Sequence, residues 1–163
     1  MTTLIHIIEN VLTKEERKKL LEDSEKYLLD IDSWPGRQTR SLKSYAEFKW
    51  VEDRMIEVSS KRIGRVKVNK FWINQTNGNK KAIYWHDHID EYRSDYASVY
   101  YMKSIPFFDG TLFEDQFIKA PQNSLLLFPS HLKHTAPSLP KYNPLRMKRY
   151  TMSLNFNKIY FNG

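Results

Sequence analysis

The feature that most constrains this chain is the change of pattern near residue 66. From there on, residues 66–75, 83–90, 97–103, 111–117, 124–128 and 149–156 form short segments rich in aromatic and β-branched or aliphatic side chains, separated by turn clusters. Asn77-Gly78-Asn79 is the clearest of those turns. Segments so short and so evenly interrupted read as strands. Upstream the periodicity is helical. A short leading strand over residues 4–8 runs into Thr13-Lys14-Glu15-Glu16, a capping box whose hydroxyl and carboxylate satisfy the free amides of a helix start. That helix is expected to reach about Leu29, with Leu20, Leu21, Tyr27 and Leu28 on its apolar side. A turn is expected at Ser33-Trp34-Pro35-Gly36. A second helix is expected over 45–61, since Phe48, Val51, Met55 and Val58 recur at helical spacing, with Gly64 ending it.

Two helices followed by at least six strands describe an α+β, mainly β fold: a double-stranded β-helix, or cupin-like jelly roll, buttressed by two N-terminal helices. Such barrels hold small ligands in their mouths. At 163 residues the chain has the length of a single domain, with 1–64 as helical support and 65–163 as the jelly-roll core. No repeat or low-complexity tract interrupts it.

Composition narrows the chemistry. The absence of cysteine rules out disulfides and thiolate metal sites, so any metal must be held by nitrogen and oxygen. No apolar run approaches the ~20 residues of a membrane span. Met1-Thr2-Thr3-Leu4-Ile5-His6 lacks the basic start and apolar stretch of a signal peptide, and the expectation is a cytoplasmic protein without a membrane partner. Lys and Arg number 26 against 19 Asp and Glu, a net charge of +7. One reading is an anionic partner, nucleic acid or an acidic protein surface; the other is a solvated basic surface. The clusters at 17–19, 61–70 and 141–149 share no helical face, so charge alone does not choose.

The stretch Tyr84-Trp85-His86-Asp87-His88-Ile89-Asp90 is the most informative. On a strand, His86, His88 and Asp90 project to one side, and residues two apart stand roughly 6.5–7 Å from each other at the backbone. A His-x-Asp or His-x-His pair at that spacing can clamp one divalent ion; a hydrogen-bonded surface pair is the plainer reading. The third ligand has to come from His6, His131 or His134, the latter two following a core strand stopped by Pro129. Two imidazoles and a carboxylate on one face of iron leave positions open for other ligands. In the last strand Arg149, Thr151, Ser153 and Asn155 alternate with Tyr150, Met152, Leu154 and Phe156. If the polar face points inward, Arg149 can take a ligand carboxylate through parallel hydrogen bonds; if outward, the strand is simply half-buried. Arg146 competes for that role, but only Arg149 is in phase with the strand.

In their order, His88-Ile89-Asp90, Asp95-Tyr96-Ala97-Ser98-Val99-Tyr100-Tyr101, Gly110-Thr111-Leu112-Phe113, Leu126-Leu127-Phe128-Pro129-Ser130, His134 and Arg149-Tyr150-Thr151-Met152-Ser153 resemble the iron(II)/2-oxoglutarate dioxygenase superfamily, particularly its prolyl-hydroxylase-like branch. The opening Ile7-Ile8-Glu9-Asn10-Val11-Leu12-Thr13 and its charged helix resemble that branch's start, so the resemblance covers most of the chain. It implies Fe(II) held by His88, Asp90 and His134, with His86 lining the pocket or standing in as a ligand. It implies 2-oxoglutarate anchored by Arg149, with Tyr101, Ser153, Thr151, Asn74 and Tyr84 as helpers. Ascorbate is a candidate reductant. The implied reaction consumes O2 and hydroxylates a C–H bond with release of succinate and CO2, first of all on a prolyl residue of a protein or peptide. Nucleic acid or a small molecule is the alternative substrate. A non-catalytic cupin-like binding module and a zinc or manganese cupin-like enzyme are the alternatives of other kinds. The stretch 138–144 resembles an insertion, and 32–43 and 77–81 are candidate lids.

Overall fold

The computed structural model describes residues 4–31, 36–76, 87, 93–105, 109–136 and 148–160. The strand expected over 83–90, the turns at Asn77-Gly78-Asn79 and Ser33-Trp34-Pro35, and the stretch 138–144 lie outside the described residues, apart from Asp87.

The N-terminal part begins with β1 (His6–Ile8) and α1 (Lys14–Glu25). The capping box forms as read: Thr13 Oγ1 accepts from the Glu16 amide at 3.0 Å, and the Glu16 carboxylate accepts from the Thr13 amide at 2.9 Å. The same carboxylate receives both Nη groups of Arg54, at 3.1 and 3.0 Å, which fastens α1 to the next helix. The Thr13 amide and then Arg54 hold the Glu16 carboxyl below its ordinary range, against the opposing effect of burial.

Helix α1 stops at Glu25 rather than near Leu29. Tyr27 and Leu28 donate to Ser24 and Glu25 in a tightened turn, and the chain then enters β2 (Leu29–Asp30). Leu29 and Asp30 pair with Gln38 and Arg37 of β3 (Gly36–Gln38), so their backbone groups belong to a sheet edge. The Tyr27 ring instead meets Tyr45 and Phe48, at 4.8 and 5.6 Å between centroids. The second helix matches its expected span closely. A single tight turn (Ala46–Phe48) leads into α2 (Lys49–Ile63), which buries Val51 and Met55. Gly64 closes it at φ +84°, where a side chain would strain the backbone.

The remaining strands are β4 (Val66–Thr76), β5 (Tyr96–Lys103), β6 (Gly110–Phe113), β7 (Phe117–Lys119), β8 (Leu125–Pro129), β9 (His134–Thr135) and β10 (Arg149–Lys158). The segment expected as one strand over 111–117 is broken into β6 and β7. Phe113 donates to Gln116 across a turn that carries the exposed Glu114 and Asp115. Among the described residues the strands form two antiparallel sheets. The larger has the order β1-β8-β5-β10-β4-β3-β2 and the smaller β7-β6-β9. The first 64 residues therefore contribute three strands as well as helices. Residues 36–43, within one of the expected lids, are bonded to β4: Thr39 donates to Ile73 O and Leu42 to Phe71 O.

Each face of the large sheet has its own core. The outer face sets Phe71, Ile73, Tyr100, Met102, Leu125, Leu127, Met152 and Leu154 against Leu20 of α1 and Val51 and Met55 of α2. Where β4 pairs with β10, Asn155 faces Lys70 and Phe156 faces Val68, leaving Asn69 as an extra residue. That bulge lets Val66 and Val68 share the helix-facing side with Phe71 and Ile73 although the sequence alternation breaks between them. The inner face packs Ala97, Tyr101, Leu126 and Phe128 on Phe113 and Ile118 of the small sheet. No helix among the described residues is long and apolar enough to cross a membrane.

Replacing Thr13 with Ala removes the acceptor for the Glu16 amide and loosens the carboxylate that Arg54 grips. Urea denaturation should show a loss of about 1 kcal/mol with an unchanged denaturant slope.

Candidate active site between the sheets

Strand register decides which side chains enter the space between the sheets. Across the inner face Gln38, Asn74, Thr151 and Tyr101 occupy one row, and Thr76 stands opposite Arg149. A further row carries Trp72, Ser153, Val99 and Leu126, and another Lys70, Asn155, Ala97 and Phe128. The polar face of β10 is therefore turned inward: Arg149, Thr151 and Asn155 are all buried.

Arg149 is the centre of one end. Its side chain is 5% exposed, and Nε donates to Asp109 Oδ1 at 2.6 Å; the Asp109 side chain is 3% exposed. The same Asp109 oxygen accepts from the Gly110 amide at 2.9 Å, while Arg149 Nη2 lies 3.4 Å from Gly110 O. The guanidinium carbon sits 5.6 Å from the centre of the Tyr101 ring, whose hydroxyl makes a short contact with Thr111 Oγ1. Burial pushes the Tyr101 phenol well above its ordinary pKa, opposed mainly by the Arg149 charge, so it is neutral at physiological pH. Next along the sheet, Asn74 Nδ2 lies 3.0 Å from Ser153 Oγ and 3.5 Å from Thr151 Oγ1, and its oxygen accepts from Gln38 at 2.7 Å.

His134 occupies the small sheet. Its β9 backbone pairs with Phe113, and its ring lies 4.7 Å from Phe128 and 6.2 Å from Phe113 between centroids. Nδ1 is 2.9 Å from the Leu132 carbonyl. A carbonyl only accepts, so Nδ1 carries the proton and the lone pair is on Nε2, the tautomer a metal ligand needs. The other two candidate histidines lie elsewhere: His131 is exposed on a turn, and His6 pairs with Leu127 in the row facing the helices. His86, His88, Asp90, Tyr84 and Arg146 lie outside the described residues.

Arg149, Tyr101, Thr151, Ser153 and Asn74 are thus brought to one face, and Asp109, Thr111, Thr76 and Gln38, not singled out from the sequence, join them there. Thr111 had a signal, because it alternates with the inward Phe113. Asp109 precedes its strand and had none. Thr76 Oγ1, opposite Arg149, is buried without a hydrogen-bond partner and can donate to a bound carboxylate, beside the Arg149 Nη groups. Asp109 Oδ2, also buried and unpartnered, is an acceptor and offers nothing to such a ligand. Buried polar atoms are costly to leave unmet. The imidazole of His134, with Nδ1 turned to the Leu132 carbonyl, suits Fe(II), which takes imidazole and carboxylate ligands.

No protein-family model matches the chain, and no curated protein matches its sequence. Solved structures do match. The viral collagen prolyl hydroxylase vCPH of Paramecium Bursaria Chlorella virus-1, in complex with 2-oxoglutarate, superposes with a TM-score of 0.69 at 13% identity, covering 96% of this chain and 97% of that one. A Pseudomonas putida prolyl-4-hydroxylase gives 0.67 at 11% identity, covering 98% and 95%. HygX of Streptomyces hygroscopicus, with nickel, 2-oxoglutarate and hygromycin B bound, gives 0.66 at 13% identity, covering 98% and 85%. The chain has the fold shared by these 2-oxoglutarate oxygenases, prolyl hydroxylases among them, in agreement with the resemblance in its sequence.

The Arg149 and Asp109 pair makes a testable statement about stability. Arg149→Met keeps the bulk of the side chain but leaves the Asp109 carboxylate buried without its counter-charge. Urea denaturation should show a loss of about 3–5 kcal/mol, and adding Asp109→Asn to that variant should recover part of it.

Proposed function

We propose that this chain is an Fe(II)- and 2-oxoglutarate-dependent dioxygenase that hydroxylates a C–H bond, with a prolyl residue of a protein or peptide as its substrate. The observation that carries this reading is Arg149, a buried guanidinium among inward hydroxyls, on the same inter-sheet space as the Nε2-basic imidazole of His134. The neighbours solved with 2-oxoglutarate, and with nickel or iron, support the same pair of cofactors. The two sheets are read as the halves of a double-stranded β-helix in one domain, with the two helices bracing the outer face.

His134 would hold the iron together with His88 and Asp90, and Arg149 would take the distal carboxylate of 2-oxoglutarate. When bound, the iron and 2-oxoglutarate supply oxidative chemistry that places one oxygen of O2 in a C–H bond and releases succinate and CO2. The residues of the chain do the rest. Leu132 O fixes the tautomer and tilt of His134, and Phe113 and Phe128 hold its ring from the sides. Tyr101 lies beside the guanidinium, Thr76 stands opposite Arg149, and Ser153 lies further along the same face of β10. The aromatic inner core keeps bulk water from the reacting end.

The prolyl substrate is supported by the two prolyl hydroxylases among the neighbours. A second reading, a small-molecule substrate, is favoured by HygX, whose structure holds hygromycin B. Mass spectrometry of prolyl peptides after turnover separates the two: a gain of one oxygen on proline supports the first, and succinate formation without peptide oxidation favours the second.

The cofactor pair is tested without a substrate. Under anaerobic conditions Fe(II) and 2-oxoglutarate added to metal-free protein should give the weak visible charge-transfer band of the chelate. The band should vanish in His134→Ala and weaken in Arg149→Ala, and His88→Ala or Asp90→Ala should abolish succinate formation. Iron binding with no band would remove 2-oxoglutarate from the account.

A further inference from the structure

The cosubstrate anchor carries its own counter-ion. Arg149 and Asp109 are both almost wholly buried and share a 2.6 Å contact through Nε. This edge of the guanidinium is taken before any ligand arrives, and Nη2 leans on Gly110 O at 3.4 Å. The Asp109 carboxylate is itself incompletely used: Oδ1 accepts from Arg149 and from the Gly110 amide, and Oδ2 has no partner. Arg149 alone would present a full positive charge to a carboxylate ligand. The pair presents almost none.

We propose that Asp109 is a positioning residue that fixes Arg149 by its Nε edge and, by neutralising it, lowers the affinity of the site for the distal carboxylate of 2-oxoglutarate. This rests on the reading of Arg149 as the cosubstrate anchor. An incoming carboxylate then meets the guanidinium through its Nη groups and finds a like charge on the far side. Binding remains favourable because Thr76 Oγ1, unpartnered and opposite Arg149, is available as a neutral donor. The cosubstrate is held by geometry as much as by charge, and the energy that a bare arginine would spend on tight binding is not spent.

Asp109→Asn keeps the shape and an acceptor for Nε but removes the charge. Anaerobic titration of the Fe(II) protein should show 2-oxoglutarate binding about tenfold tighter in Asp109→Asn than in the wild type. The affinity for 2-oxopentanoate, which keeps the keto acid but ends in a methyl group, should be the same in both proteins. A second readout covers a variant that is poorly folded alone. Asp109→Asn leaves a buried guanidinium unpaired, so its Tm should fall without ligand and rise further than that of the wild type when 2-oxoglutarate is added. Equal or weaker 2-oxoglutarate binding in Asp109→Asn overturns the proposal, as does an equal gain for 2-oxopentanoate. An unrescued fall in Tm assigns Asp109 a structural role alone and overturns it too. The failure of the parent reading looks different: the wild type then binds iron but neither keto acid gives the band, and both ideas fall together.

Discussion

The contact between Arg149 and Asp109 crosses the gap between the two sheets. One partner begins β10, at the centre of the large sheet, and the other leads into β6, at the centre of the small one. Both charges are out of water, so neither tolerates the loss of the other. Around them the sheets close on Tyr101 and Thr111 on one side and on Phe113 and Phe128 on the other. The separation of the sheets, and therefore the width of the space that holds His134, follows from these contacts. The space between the sheets is held open by a charge pair that satisfies most of its own charge.

Strand β10 turns this into an arrangement with two functions. One set of side chains, Tyr150, Met152, Leu154 and Phe156, joins the helices in the main core. The alternate set, Arg149, Thr151, Ser153 and Asn155, lines the inner face. Period-two alternation puts the helix-facing core and the polar inter-sheet lining on one stretch of backbone. The bulge at Asn69 is the local adjustment that keeps β4 in step with both faces.

Much of this was legible because it depends on local periodicity. The Thr13 and Glu16 capping box, the Gly64 stop and the alternation of β10 need only spacing and residue type, whereas the inward turn of its polar face needed the sheet. What was not legible depends on pairing at long range. The residues between Glu25 and Leu29 look helical until β3 supplies a partner for Leu29 and Asp30, and a strand of two residues such as β9 leaves no periodic trace. Glu114 and Asp115 break an otherwise continuous pattern, but only the hydrogen bond from Phe113 to Gln116 makes them a turn. Asp109 was invisible for the same reason: its importance comes from a residue 40 positions away. Residue type alone left His6, His131 and His134 equivalent; the order of motifs in the sequence pointed to His134, which the fold sets beside Phe113 and Phe128.

The order of the strands also bears on how the protein is made. In space β10 lies between β5 and β4, yet it follows both in the chain. As the polypeptide is made, β4 and β5 both precede the strand that joins them in the sheet. Phe71, Ile73, Tyr100 and Met102 meanwhile lack the middle of the surface they will share. The sheet can close only when residues 149–158 emerge, and the last strand to arrive brings both the centre of the core and the guanidinium of the site. A nascent chain is thus without its inter-sheet space for as long as it is without a finished sheet.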